Sequence, residues 1–230
     1  MRNFQYKDKI KMAKEKQKVS DNDKMDVNKL AEVLGNILCE KTPLKEEIAT
    51  SDLLELKRAL NPVNNMITKE LTTKFIRNLV AIFQNTPGGL PDEIRNNIDG
   101  LINDNDSVNV NANGYDFFKS PIVAEVKANI PYEGDKYGAS QKNGLIKDLN
   151  GLLLDPEDPG RPKKKRGRDL TNEYKFLVVL DYKRFDYYKT LDAVKDLIKG
   201  DEFKDVEIIE KINEPQTLDK KHVYIVMLEL

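Results

Sequence analysis

Two acidic residues and a lysine lie close together in the stretch GYDFFKSPIVAEVKANIP, residues 114–131. They are Asp116, Glu125 and Lys127. Converging carboxylates attract a hard divalent cation such as Mg²⁺, which takes oxygen ligands and usually keeps several waters. A water bound to such an ion loses a proton more easily and can attack phosphorus. A nearby lysine can orient that nucleophile or neutralise charge on the phosphate, so these residue types predict phosphodiester hydrolysis.

A β-hairpin would bring the three side chains together. If its turn centres on Ser120-Pro121, Asp116 lies opposite Glu125, with the two Cβ atoms roughly 4.5–5.5 Å apart. Side chains alternate faces along a strand, so Lys127 shares the face of Glu125. Without a cation the two carboxylates should repel each other, and one should keep its proton to higher pH than a free carboxyl.

Asp116, eight intervening residues and then Glu125-Val126-Lys127 on an apolar strand resemble the D…(D/E)-x-K signature of the PD-(D/E)xK nuclease superfamily. This superfamily includes many type II restriction endonucleases. Tyr115 stands where the family's name has proline, a position that varies widely. The resemblance covers about residues 107–155, with weaker support from the later strand-like segments.

The resemblance implies an α/β fold with a restriction-endonuclease-like central mixed β-sheet flanked by helices. It also implies dependence on Mg²⁺, with Mn²⁺ as a substitute, and a homodimer. Asp116 and Glu125 would bind the metal together with the Val126 carbonyl, and Lys127 would assist the nucleophile or the transition state. Two further residues are candidates. Gln141 is either part of the site or an ordinary first-turn residue of its helix, and Glu70 is either a further acid or a surface residue.

Simpler interpretations of the same residues remain open. Glu125 and Lys127 could form a solvent-facing salt bridge on a strand with one buried face, worth roughly 0–1 kcal/mol. A second acid-x-lysine pattern, Glu173-Tyr174-Lys175, begins another apolar strand. It lacks a strand-like acid at the matching distance upstream, so we favour the first set.

The chain divides by pattern into two regions. Residues 1–105 carry apolar residues at helical spacing and predict a mainly helical region that shapes a DNA cleft or a dimer interface. Within it, Pro62 is expected to end a helix. Residues 106–230 alternate apolar strands with amphipathic helices, which predicts an α/β nuclease core with a loop at 155–169.

That loop contains RPKKKRGR, six basic residues without an acid, although the whole chain has a net charge of only −1. Such a segment is either a solvated linker or a clamp for the DNA backbone, since phosphate contacts supply affinity without reading sequence. The prediction is an exposed loop that binds double-stranded DNA, through Lys163, Lys164, Lys165, Arg166 and Arg168.

Cys39 and His222 are the only residues of their types. An intramolecular disulfide is therefore excluded, and a Cys/His zinc site within one chain is disfavoured. The apolar runs are too short to span a bilayer, and no signal peptide is evident, so we expect a cytoplasmic protein without membrane contact. The sequence predicts a Mg²⁺-dependent DNA endonuclease, specifically a type II restriction enzyme. The alternatives are a nuclease of the same fold in repair or recombination, and a non-catalytic nucleic-acid-binding protein.

Overall fold

The computed structural model describes residues 50–107, 114–131, 135–165, 167–182, 189–212, 214 and 216–230. The chain forms two compact units, Met1–Met66 and Ile67–Leu230. Cys39 lies outside the described residues. The candidate site belongs to the second unit.

Five α-helices are described. They are α1 (Thr50–Ile82), α2 (Asp92–Arg95), α3 (Ile98–Ser107), α4 (Ala139–Leu153) and α5 (Thr190–Leu197). Two short 3₁₀ helices, Lys163–Lys165 and Asp201–Phe203, follow α4 and α5 respectively. Among these helices, none combines the length and the apolar character needed to cross a membrane.

One mixed sheet of five strands organises the second unit. The strands are β1 (Phe117–Lys119), β2 (Ile122–Lys127), β3 (Tyr174–Leu180), β4 (Val206–Ile209) and β5 (Val223–Leu228). Their order is β1-β2-β3-β5-β4. Strand β1 is antiparallel to β2, whereas β2, β3, β5 and β4 run parallel to their neighbours. The predicted α/β class with a mixed sheet and flanking helices is thus confirmed.

Helices cover both faces of this sheet. On one face, Ile122, Ala124 and Val126 of β2 share a core with Leu71 and Phe75 of α1. On the other, Val123 of β2 shares a core with residues of α4 and α5, namely Leu145, Leu149, Ala193 and Val194. Parallel strands covered in this way are apolar along most of their length. A charged residue on such a strand is therefore buried.

The helical segment before the sheet belongs to the same compact unit as the sheet from Ile67 onward. The compact units divide between Met66 and Ile67 and not at the predicted 105/106, and the apolar face of α1 that begins at Leu71 packs in the sheet's core. Pro62 does not end a helix either, since α1 runs through it. Proline costs a helix interior one hydrogen bond and roughly 3 kcal/mol, yet the helical pattern continues to Ile82.

Candidate active site

The hairpin of β1 and β2 has the register that the sequence predicts. Phe117 pairs with Ala124, and Lys119 pairs with Ile122, so the turn is Ser120-Pro121. One step further along this register, Asp116 stands beside Glu125. Its Oδ2 accepts a hydrogen bond from the Val126 N–H at 2.8 Å. The backbone of β2 therefore fixes the Asp116 carboxylate next to the Glu125 side chain.

Glu125 is almost completely buried, with 4% of its surface exposed. Burial raises the pKa of its carboxyl to about 8, with the negative charge of Asp116 acting in the same direction. A neighbouring lysine, Lys165, opposes this rise, and Asp148 adds to it. The raised pKa of Glu125 agrees with the expectation that one of the two facing carboxyls keeps its proton to higher pH. The alternative of a solvent-facing salt bridge is wrong, because α4 covers the face on which Glu125 lies.

Lys127 forms an ion pair with an acid that the sequence analysis does not identify. Its Nζ lies 2.8 Å from Oδ2 of Asp148, a residue of α4. Burial alone would lower the pKa of Lys127, but the charge and hydrogen bond of Asp148, with Asp116 and Glu125, outweigh it and raise that pKa. Lys127 is therefore a fixed cation on the same face as Glu125.

A second lysine enters the site from the basic loop. Lys165 is 6% exposed, its Nζ contacts Glu125 Oε1, and it lies 3.0 Å from Asp148 Oδ1. Asp148 thus uses one oxygen for each lysine. The site combines three carboxyl groups with two ammonium groups, because each charge inside the protein needs a partner.

Tyr115 and Arg161 form hydrogen bonds that connect the basic loop to α4. The Tyr115 hydroxyl donates to the Gly151 carbonyl of α4 at 3.1 Å, and it accepts from Arg161 Nη2 at 3.1 Å. Arg161 also donates to the Arg168 carbonyl at 2.7 Å. These bonds close the basic loop on itself and fasten it to the helix that carries Asp148.

The oxygen donors suit Mg²⁺. Two adjacent carboxyls, one of which resists ionisation beside the other, gain from a divalent cation between them. In the described part of the chain, no group of three or more Asp, Glu, His or Cys side chains could hold a metal ion by itself. Asp116, Glu125 and the Val126 carbonyl would therefore share the ion with waters and substrate oxygens, which is usual for Mg²⁺.

Gln141 makes the bonds of a first-turn residue of its helix, one of the two roles that the sequence leaves open. Its Oε1 accepts from the Gly138 N–H at 3.1 Å, and its Nε2 donates to the Ile130 carbonyl at 3.0 Å. The side chain caps the first turn of α4 and ties it to the chain that leaves β2. Both polar atoms of the Gln141 side chain are thus bonded to the backbone, and its role in the site stays a prediction.

Glu70 is exposed on α1. The buried side chains of α1 pack on the face of Ile122, Ala124 and Val126, opposite to the face of Glu125. The structure does not bring Glu70 to the group around Glu125, and its role as a further acid stays a prediction.

The competing pattern at the start of β3 has structural partners. Glu173 Oε1 accepts from the Ser120 hydroxyl at 2.9 Å, so it anchors the hairpin turn. Lys175 donates to the Lys221 carbonyl at 3.1 Å, and burial lowers its pKa. This pair therefore braces the sheet.

The basic loop is only partly exposed, which corrects the prediction of an exposed loop. Arg161 and Lys165 are buried because they bind Tyr115 and the two carboxylates. Lys163 and Lys164 are exposed. Arg168 is half-buried, with its guanidinium 4.8 Å from the centre of the Phe118 ring. Of the residues predicted to contact DNA, Lys165 is therefore buried, and Arg166 lies outside the described residues.

Sequence reasoning missed Asp148, and it assigned Lys165 to the DNA-binding surface instead of to the group around Glu125. Asp148 had a local signal: it falls three residues after Leu145 and four before Leu152, on the apolar face of α4. An acid at such a position needs a buried partner. Lys165 had no such signal, since nothing in the sequence distinguishes it from the lysines beside it.

Comparison of the chain with protein-family models, with curated proteins and with solved structures finds no match. A proposal about the function of this chain therefore rests on its α/β fold and on the cluster around Glu125.

Proposed function

We propose that this protein is a Mg²⁺-dependent endonuclease of double-stranded DNA with a restriction-endonuclease-like fold, acting as a type II restriction enzyme. The observation that carries the proposal is the hairpin register, which sets Asp116 beside a buried Glu125 with Lys127 two residues further along. A structural salt bridge would not need two facing carboxyls, because directly opposed acids destabilise a hairpin.

Each residue has a distinct task in this proposal. Asp116 and Glu125, with the Val126 carbonyl, hold the ion, and the Val126 N–H keeps Asp116 in place. Bound Mg²⁺ supplies positive charge at the scissile phosphate and lowers the pKa of a water molecule. Lys127, positioned by Asp148, presents an ammonium that orients the attacking water or neutralises a phosphate oxygen. Such fixed charges act strongly because the site is partly shielded from water.

DNA would be held largely by its backbone. Lys163 and Lys164 are exposed cations next to the loop residue that reaches the site. Contacts of this kind position a duplex without reading its bases. Two chains, each with one site, would cut the two strands, which favours a dimer with twofold symmetry.

The direct test is cleavage of plasmid DNA with Mg²⁺ and with EDTA. Glu125→Ala and Lys127→Ala should each lower the rate roughly 100- to 1,000-fold or more, as expected for loss of a principal electrostatic group. The matched controls are Glu207→Ala and Lys204→Ala, which change an exposed residue of β4 and an exposed residue of the turn before it. Circular dichroism would check that every variant is folded.

Near-normal cleavage by a folded Glu125→Ala protein would overturn the proposed function. The pattern of products separates the classes of nuclease. Discrete bands from DNA of known sequence are expected of a restriction enzyme, whereas a smear indicates a nuclease without sequence preference.

A further inference from the structure

Lys165 has no task in the proposed reaction, yet it occupies the centre of the site. It ends the 3₁₀ helix Lys163–Lys165, whose other two lysines stay exposed. Its ammonium contacts Glu125 Oε1 and lies 3.0 Å from Asp148 Oδ1. A cation from a surface loop thus lies against the carboxyl group that is proposed to bind the metal.

The position of this lysine is built into the fold. A Cβ atom on Gly151 would lie 2.5 Å from Lys165 Cδ, so a larger residue at this place in α4 would force the lysine side chain to move. The ring of Tyr115 lies 5.0 Å from the ammonium and adds a cation–π contact. The bonds of Arg161 to Tyr115 and to the Arg168 carbonyl hold the loop that carries the lysine.

A metal ion at Glu125 and the ammonium of Lys165 would repel each other, because two positive charges would lie close together in a poorly solvated place. Both would also compete for the same carboxylate. We propose that Lys165 is a tethered counter-ion that competes with the divalent cation for Glu125, and that ion binding displaces its ammonium from this carboxylate. The inference rests on the proposed function, which assigns Glu125 to the metal.

Displacement has an immediate consequence for the loop. Lys165 follows directly on Lys163 and Lys164, the exposed cations of the loop. A lysine released from Glu125 emerges beside them and adds to the positive surface that faces phosphate. By thermodynamic reciprocity, DNA that favours the released lysine raises the affinity for the ion by the same factor that the ion raises the affinity for DNA.

Chemical modification of the wild-type protein follows the displacement directly. Lysines would be acylated with and without Ca²⁺, and the extent at each lysine would be measured by mass spectrometry. Lys165 should be protected without the ion and become several-fold more reactive with it, while exposed Lys147 serves as the reference. Protection of Lys165 that persists at Ca²⁺ concentrations saturating the thermal shift would overturn the inference.

Calorimetric titration of Lys165→Met with Ca²⁺ gives the energetic test. Removing the competitor should raise the ion affinity about tenfold, within the range of roughly 5- to 150-fold that is typical of coupled sites. Lys147→Met should leave the affinity unchanged. If Lys165→Met fails to fold, the acylation of the wild-type protein decides the question.

The outcomes separate this inference from the proposed function. Equal or weaker ion binding by folded Lys165→Met, together with Mg²⁺-dependent cleavage by the wild type, would overturn the competition and leave the nuclease intact. No ion binding by either protein would overturn both the metal assignment and the competition. Ion binding by Lys165→Met alone would support the competition in its strongest form.

Discussion

Glu125 is the residue at which burial and charge conflict most strongly. It lies on a strand covered on both faces, where an isolated carboxylate would be very costly. Lys165 offsets part of that cost, whereas Asp116 and Asp148 add to it. The pKa of Glu125 is therefore raised from 4.5 to about 8. The protein keeps an acid at a place that an apolar side chain would fill more stably, which is typical of functional sites.

This conflict predicts how stability depends on pH. The folded state binds the Glu125 proton more tightly than the unfolded state, so the resulting stabilisation is complete below pH 4.5 and is lost as pH rises through about 8. Relative to Glu125→Gln, the wild type in EDTA should lose stability between pH 5 and pH 8. The slope of its unfolding free energy against pH should correspond to the uptake or release of no more than one proton. Urea unfolding at several pH values measures this difference. A difference that stays constant, with exposed Glu207→Gln as control, would contradict the raised pKa.

Asp116 provides a second test at the residue scale, through the effect of ions on thermal unfolding. Mg²⁺ or Ca²⁺ that binds only the folded state should raise the melting temperature by about 5–10 °C at a concentration near 100 times its dissociation constant. In Asp116→Asn this rise should fall to less than about half, since one of the two ligand charges is gone. Ca²⁺, with its longer and looser coordination, should support binding but little cleavage. An undiminished rise in Asp116→Asn would place the ion elsewhere.

At the scale of elements, the β1–β2 hairpin was predictable because its information is local. The Ser120-Pro121 turn sets the register, and alternation along β2 then puts Glu125 and Lys127 on one face. The helical spacing from Ile67 to Ile82 likewise predicts the buried stripe of α1. Periodicity and turn position thus account for most of the elements and for the motif residues.

The remaining part of the site depends on contacts between distant segments. Lys165 meets Glu125 because the loop folds back over α4, and its side chain passes close to Gly151. The sequence shows six cations in this loop but not which of them turns inward. For Gln141 the position along the helix was predictable but the role was not. A glutamine in the first turn can either cap the helix or reach the site, and the sequence does not distinguish the two roles.

The basic loop predicts the salt dependence of DNA binding. Lys163 and Lys164 are its exposed lysines, whereas Lys165 is buried. Changing the two exposed lysines to Ser should weaken DNA binding and flatten its dependence on salt by roughly 0.9 per lost phosphate contact, up to about 1.8 in total. The control changes two other exposed lysines, Lys147 and Lys204, to Ser. Binding isotherms over a range of salt would show an unchanged slope if the loop only closes the fold.

At the scale of the whole molecule, the sheet places the candidate site at one edge. Strands β2, β3, β5 and β4 run in the same direction, so their carboxyl ends meet there. Glu125 and Lys127 lie in the last part of β2, and ligands of open α/β sheets bind at such edges. The helices on the two faces keep this edge fixed, because the core residues on both sides of β2 are fully buried.

The proposed dimer predicts the products of a mixed enzyme. If each chain cuts one strand, a dimer of one wild-type chain and one Glu125→Ala chain has a single working site. Random exchange of equal amounts makes about half of all dimers mixed, and these should convert supercoiled plasmid to the nicked circle. Agarose gels after subunit exchange would show that circle accumulating, whereas unmixed wild type should give linear DNA. Glu207→Ala, whose change is exposed, serves as the mixing control and should produce no excess of nicks. Linear product formed at half the wild-type rate without nicked circles would mean that single chains cut both strands, and the twofold dimer would be wrong.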